Sequence, residues 1–451
     1  MANFRKDQQV FGPTGHDKTV FEVPMIANKN GEIVTKYNPF PVTISNAIGS
    51  TDIASASSDA FGRLRISSAF TLFDSSNVYS LNDKWSSSTT GSGAVAVSHN
   101  VNDSSVNLII GTQSGDEIVR ETKRCFSYQP GKSLLVLNTF CFNSPKTYLR
   151  QRVGYMTTTD GIYLEQENNS VYFVKRSSVT GGNVTTRILQ TNWNIDSLDG
   201  TGESGITLDL TKAQIMWMDF EWLGVGTVRC GFVINGQFVP AHAFHHANIE
   251  TTTYIKTASL PIRYEITNTS ATDSNSTLKQ ICSTVISEEG YQKVAKEHFA
   301  RRSTIKTNIS TTFLPLVSIR LKSTSLDAII LPSTLNFLGI AATGSSEYEI
   351  ILLKNGTLGG TPNWNTSLFT NVEFDTDASS VTFSNTNIVK QFYSISTNQS
   401  QTSINDTGRY NLDTQIGRTL AGVSDIYTLC ARTLSGTNNG IGALGFYDLT
   451  N

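Results

Sequence analysis

The stretch from Gln214 to Asn248, QIMWMDFEWLGVGTVRCGFVINGQFVPAHAFHHAN, constrains what this chain can fold into more than any other part of it. Met216, Met218, Phe220 and Trp222 alternate there with Trp217, Asp219, Glu221 and Leu223. A period of two puts an apolar row on one face and a mixed row on the other, as in a strand. Gly224-Val225-Gly226 breaks the run, and a second run, Thr227 to Ile234, passes through Asn235-Gly236 into a third, Gln237 to Phe244. Asn-Gly supplies both positive-φ residues of a type I′ turn, so the last two runs read as a tight hairpin. Three consecutive antiparallel strands are expected, with Trp217 and Trp222 anchoring their packing.

The same alternation recurs upstream, in Val95–Val101, Ser105–Thr112, Glu117–Ser127, Ser133–Asn143, Tyr148–Met156, Gly161–Asn168, Val171–Ser177 and Val184–Leu189. Downstream it continues in Ile262–Asn268 and Thr277–Ser287. Strands at this spacing, with turn residues and no helical blocks between them, indicate a large antiparallel β-sandwich domain over 59–287. In Glu288–Arg302, Tyr291, Val294, Ala295, His298 and Phe299 fall on one helical face, which predicts a short helical connector over 288–302. The strand pattern then restarts in Phe313–Leu321, Ala328–Leu331, Leu338–Ala341, Tyr348–Lys354, Val372–Phe374, Val381–Phe383 and Ile426–Ala431. These predict a smaller C-terminal β-sandwich over 303–451, with Lys354-Asn355-Gly356-Thr357 as a further hairpin signal. Residues 1–58 are polar and interrupted by Pro24, Pro39 and Pro41, and read as an extended N-terminal docking arm. The expected fold class is therefore all-β.

Hydrophobic residues make up 38% of the 451 and charged residues 16%, which suits many short strands joined by polar turns. A formal charge of −2 offers no concentrated positive field for nucleic acid. No run approaches 18 apolar residues, so no membrane partner is expected, and the N-terminus lacks the apolar core of a signal peptide. The five cysteines, Cys125, Cys141, Cys230, Cys282 and Cys430, are scattered and odd in number, as expected of free thiols made in a reducing cytoplasm.

Four segments carry a family resemblance: NPFPVTISN at 38–46, DAFGRLRISSAFTLFDS at 59–75, the run from Leu198 to Asn248, and the closing DIYTLCARTLSG…ALGFYDL. Together they resemble a virion structural protein family of tailed bacteriophages, many of them cyanophage-like and marine. The resemblance implies a non-enzymatic fibre, collar, tail or capsid-associated protein, located in the virion and assembled in the host cytoplasm. It also implies other virion structural proteins as partners and a homo-oligomer, with a trimer as the expected state.

Candidate chemistry is sparse. His242, His245 and His246 with Cys230 carry zinc-type ligands, but alternation sends His245 to the opposite face from the other two histidines. Asp219 and Glu221 share a strand face at about 7 Å, a spacing that suits a glycosidase pair, yet Arg229 is an equally good partner for Asp219. Asp196, Asp199 and Glu203 lie in a glycine-containing loop without the ligand order of an EF-hand. Arg63 and Arg65 sit among aromatics and read as stems lying on apolar surface. No catalytic residue, metal or cofactor is assigned. The alternative function, adsorption to a host surface glycan, would use Trp364, Phe369, Phe392 and Tyr393 as stacking rings. A polysaccharide depolymerase is a further alternative.

Overall fold

Asn235 and Gly236 take φ of +53° and +76°, the two left-handed residues of the expected turn. They join Val228–Ile234 to Gln237–Phe244, and Gln214–Phe220 pairs antiparallel with the first of these. Met216, Met218 and Phe220 point inward with no exposed surface. Trp217 lies on the opposite face, edge-on to Phe238 at 5.5 Å.

The computed structural model describes residues 68–292, 295–341, 345–397, 402–404 and 412–450. The expected docking arm, Arg63 and Arg65 lie outside the described residues. The chain divides into units Met1–Ile66 and Ser67–Asn451, and all described residues belong to the second.

Strands numbered in chain order form two sandwiches. In the larger, one sheet holds β1 (Phe70–Ser75), β3 (Ala96–Asn100), β4 (Ser105–Ile110), β6 (Leu134–Cys141), β11 (Gln214–Phe220), β12 (Val228–Ile234), β13 (Gln237–Phe244) and β15 (Ser276–Ser287). Its order is β13-β12-β11-β6-β15-β4-β3, with β1 also on β15. The facing sheet holds β2 (Trp85–Thr90), β5 (Glu117–Thr122), β7 (Leu149–Met156), β8 (Gly161–Glu167), β9 (Ser170–Ser177), β10 (Val184–Leu189) and β14 (Ile262–Asn268), in the order β10-β9-β8-β7-β14-β5-β2. Phe73, Phe140, Tyr155, Phe173, Phe220 and Phe232 fill the space between these sheets.

The smaller sandwich pairs β16 (Glu297–Arg301), β17 (Lys306–Ile309), β19 (Ile330–Ile340), β25 (Thr402–Ile404) and β27 (Asn438–Asp448) in one sheet. Its second sheet runs β22-β18-β26-β20-β24, from β18 (Leu314–Leu321), β20 (Ser345–Lys354), β22 (Val372–Asp375), β24 (Ile388–Thr397) and β26 (Ile426–Thr433). A two-stranded ribbon, β21 (Thr357–Gly359) with β23 (Ser380–Thr382), pairs with neither sheet but packs Val381 against Ile351, Leu353 and Cys430. A separate core, including Ile319, Tyr348, Leu429 and Phe446, holds these sheets together. The all-β class is thus observed: the helical elements among the described residues are three short 3-10 turns.

Several local expectations are corrected. The helix predicted over 288–302 does not form, since Glu297–Arg301 is strand β16, paired antiparallel with β27. Alternation explains it: Ala300 is buried and His298 stacks on Phe446 at 5.7 Å, while Phe299, which a helical face would bury, is 39% exposed. Ala328–Leu331 and Leu338–Ala341 are not separate strands: each overlaps one end of a single strand, β19 (Ile330–Ile340), which has a register shift between Pro332 and Leu335. Asn355 does turn the chain at φ +59°, but β20 and β21 belong to different sheets. Its side chain instead accepts the Ile426 amide at 2.9 Å and donates to Asp425 at 2.7 Å.

A polar seam joins the two sandwiches. The segment after the 3-10 turn at Leu412–Thr414 crosses to the larger sandwich, where Arg418 pairs with Glu121 at 2.6 Å and its amide donates to Lys123 O at 2.8 Å. Gln415 donates to Cys125 O at 2.9 Å, Arg124 pairs with Asp413 at 3.0 Å, and the Leu420 amide donates to Ser86 Oγ at 3.1 Å. Tyr291 and Leu412 each pack against both the larger core and the Ile329, Leu331 and Leu449 cluster, and the directional bonds add orientation to that contact.

Candidate functional site

The outward face of the seven-stranded sheet carries a continuous network of ion-paired side chains. Strand register builds it: Arg152 lies opposite Glu165 on β8 and Glu265 on β14, and Arg263 lies opposite Glu121 on β5. Period-two geometry puts all of these on one face. The bonds then run without a break. Arg187 reaches Glu165 at 2.6 Å and Arg152 reaches it at 2.5 Å. Arg152 also holds Glu265 at 3.1 Å, and Arg263 holds Glu265 at 2.5 Å and Glu121 at 2.8 Å. Arg418 ends the row on Glu121 and Asp327, the latter at 2.8 Å. Tyr163 lies flat in the same face between Arg152 and Arg176, at 5.4 and 5.0 Å from its ring centre, and donors on Arg176 reach its hydroxyl at 2.7 Å.

Glu165, Glu265 and Glu121 are each at most 5% exposed. Burial pushes the Glu265 carboxyl up, but Arg263 and Arg152 outweigh it and hold the group below its ordinary value. Burial likewise opposes the charge on Arg152, Arg263 and Arg418, and the flanking carboxylates raise all three above the usual arginine range. Each of the three buried carboxylates is shared by two guanidinium groups. The row is a fixed, charge-balanced surface. Sequence reading missed it, although Arg150/Arg152, Glu165/Glu167 and Arg263/Glu265 sit at strand spacing and signal a charged face.

The residues singled out from sequence are dispersed. His242 accepts the Asn194 amide at Nδ1, 3.2 Å away, and stands edge-on to Phe244 at 4.6 Å. His246 bonds Gly226 O at 2.6 Å and stacks on Tyr254 at 3.9 Å, whereas His245 meets Thr227 Oγ1 at 3.2 Å. Cys230 is fully buried in the larger core. Asp219 accepts Ser133 Oγ at 2.6 Å and pairs with Arg229, while Glu221, beyond the end of β11, accepts the Thr227 amide at 3.2 Å. Asp196 accepts the amides of Leu198 and Ser204 at 2.8 and 2.7 Å, and Asp199 accepts the Thr201 amide at 3.0 Å. These carboxylates cap their own turns.

The four aromatic candidates do not share a surface. Trp364 lies under the Arg320 guanidinium at 3.9 Å, and Arg320 is held by Glu373 at 2.5 Å. Phe369 packs edge-on to Phe446 at 5.0 Å and Phe374 at 5.8 Å, and Phe392 packs against the smaller core. Tyr393 alone is open, 62% exposed on β24 with its hydroxyl bonded to Gln391 at 2.9 Å. Arg320 on β18 and Tyr393 on β24 are three strands apart, roughly 14 Å.

No family model and no curated protein matches this chain. Among solved structures, a Bacillus licheniformis β-glucanase is similar at 12% identity and a TM-score of 0.32, covering 49% of this chain and 99% of its own. The CBM2 module of the evolved Dit of Lactobacillus casei BL23 phage J-1 is similar at 5% identity and a TM-score of 0.32, covering 51% of this chain and 100% of its own. Arcelin-5, a lectin-like defence protein of Phaseolus vulgaris, is similar at 9% identity and a TM-score of 0.31, covering 50% and 100%.

Proposed function

We propose that this protein is a non-enzymatic structural component of a tailed-phage virion, a fibre, collar, tail or capsid-associated part that docks through residues 1–58 and presents its sandwiches as a platform. Its partners are other virion proteins and further copies of itself, in a homo-oligomer expected to be a trimer. The observation that carries the reading is the row of ion pairs from Arg187 to Asp327, which commits the buried carboxylates of one sheet to arginines and continues through Arg418 into the seam. Such a row stiffens a surface and ties it to its neighbour. The segments resembling virion proteins supply the setting.

Antibodies against the purified chain, applied with gold labels to intact particles, are expected to mark one repeated position. A chain present in lysates but absent from purified particles defeats the proposal. Removal of residues 1–58 is expected to abolish incorporation while leaving the remainder folded.

A second reading, adsorption to a host glycan, is favoured by one observation: Tyr393 stands open on an edge strand, and Trp364, under Arg320, is half-buried. An array of host-surface glycans probed with the full chain and with Tyr393→Ala tests it. Retention lost in the variant supports adsorption, and no retention by either removes it.

A further inference from the structure

Arg120 lies inside the larger sandwich, 1% exposed, on the inner face of β5. Its hydrogen bonds go only to neutral oxygens: Gln280 Oε1 at 2.6 Å, Ser87 Oγ at 3.0 Å and Asn82 O at 3.5 Å. The Trp85 ring lies 5.4 Å from the guanidinium carbon. Among the described residues no carboxylate pairs with Arg120, and its neighbour Glu121 faces the other way, onto Arg263 and Arg418. Burial pulls the guanidinium down to about 10, which still leaves it charged at neutral pH. An isolated buried cation is among the most unfavourable features a core can hold, and proteins supply such a charge with a counter-ion.

Two further donors in this region meet no acceptor. Gln280 Nε2 and Asn138 Nδ2 are both buried and unpartnered. The Gln280 orientation follows from Arg120, since a flipped amide would set donor against donor. The three residues come from facing sheets. Arg120 is the cross-strand partner of Tyr264, whereas Asn138 is the partner of Ser283. Gln280 is opposite Phe140, two residues along β6 from Asn138, so Gln280 and Asn138 are diagonal neighbours on the inner face. The β1–β2 loop lies over the site. Asn82 O bonds Arg120 from it, Asn77 pins its base to Ile281 O at 2.9 Å, and a surface cleft opens along Ser76 and Val78 to Asp83.

We propose that Arg120, Gln280 and Asn138 form an inter-sheet site for one small inorganic anion, a halide or a compact oxyanion, admitted beneath the β1–β2 loop. The size limit follows from burial: all three side chains are at most 1% exposed, so the ligand lies within the sandwich and no sugar or peptide reaches it. The positive charge selects an anion, and the amide donors complete its shell.

The full chain, exchanged into gluconate buffer, is titrated with chloride, bromide, nitrate or phosphate at constant ionic strength while its melting temperature is followed. A saturable rise with at least one of these anions and none with gluconate is expected, because a ligand of the native state alone shifts unfolding by mass action. Arg120→Met is expected to lose the response and to melt no lower than the parent in gluconate, since it removes an unpaired charge at similar volume. A parent insensitive to every anion, or a variant with the parent's response, overturns the site. Should Arg120→Met fail to fold, Gln280→Leu is expected to need about tenfold more anion for the same shift. An anomalous peak beside Arg120 in bromide-soaked crystals supports the site, and water alone at that position overturns it.

Discussion

His242 is 5% exposed, and its Nδ1 is occupied by the Asn194 amide. Burial pulls its pKa down to about 4, and His245 nearby acts in the same direction. His246, stacked on Tyr254, is lowered by burial as well. In the unfolded chain both return to about 6.5. Between those values the unfolded state binds protons that the native state refuses. The contribution is therefore complete above about pH 6.5 and is lost as the pH falls toward 4, with His242 accounting for on the order of 1–3 kcal/mol. His242→Asn keeps an acceptor for Asn194 without the titration. Urea midpoints of that variant are expected to fall less steeply than the parent's between pH 6.5 and 4.5, and parallel curves contradict the assignment.

Glycines mark where elements depend on one position. Gly236 has open space around its Cα and a φ of +76°, so Gly236→Ala costs only the left-handed conformation, about 1 kcal/mol. Gly154 has ordinary backbone angles, but a Cβ there would sit 2.4 Å from Tyr163 Cβ and 2.6 Å from Ile162 O. Gly154→Ala is expected to cost at least about 3 kcal/mol, because β7 and β8 must part to admit it. Urea denaturation of the two variants side by side checks the ranking. The same physics decided what could be read from sequence. Strands with alternating apolar residues, such as Met216 to Phe220, were legible because pattern and burial coincide. Strand β2, WSSSTT, was not, since Trp85 alone is buried and cross-strand pairing with β5 makes the strand. Strand β27 was hidden by its glycines, which admit Phe337 at Gly440 and Leu316 and Leu429 at Gly442. Residues 297–301 misled because their apolar spacing fits both periods and only the edge of β27 decides. Of the candidate site, the charges were visible but their pairing was not. Glu121 and Arg418 are 297 positions apart, and no local pattern links them.

At the scale of the molecule, the seam makes the two sandwiches share their stability. Arg418 anchors it, with a side chain 13% exposed against a Glu121 side chain 2% exposed. Removing one partner of a buried pair costs about 3–5 kcal/mol, and Arg263, which stays on Glu121, softens that toward the lower figure. Calorimetry of the full chain is expected to show one cooperative transition, and Arg418→Ala together with Arg124→Ala to split it in two. Two transitions already in the parent would mean that the seam transmits little.

Strand β15 lies between β6 and β4 in the eight-stranded sheet and also carries β1, yet it is built from residues 276–287. During synthesis that sheet therefore lacks its middle until the ribosome has passed Ser287, and β4 and β6 wait more than a hundred residues for the partner that covers their edges. Such late closure makes folding slow and leaves nascent edges open to other chains crowded on the same message. A chain made in many copies at once would then gain from an early companion, whether a chaperone or a sister copy, that shields those edges until the middle strand emerges.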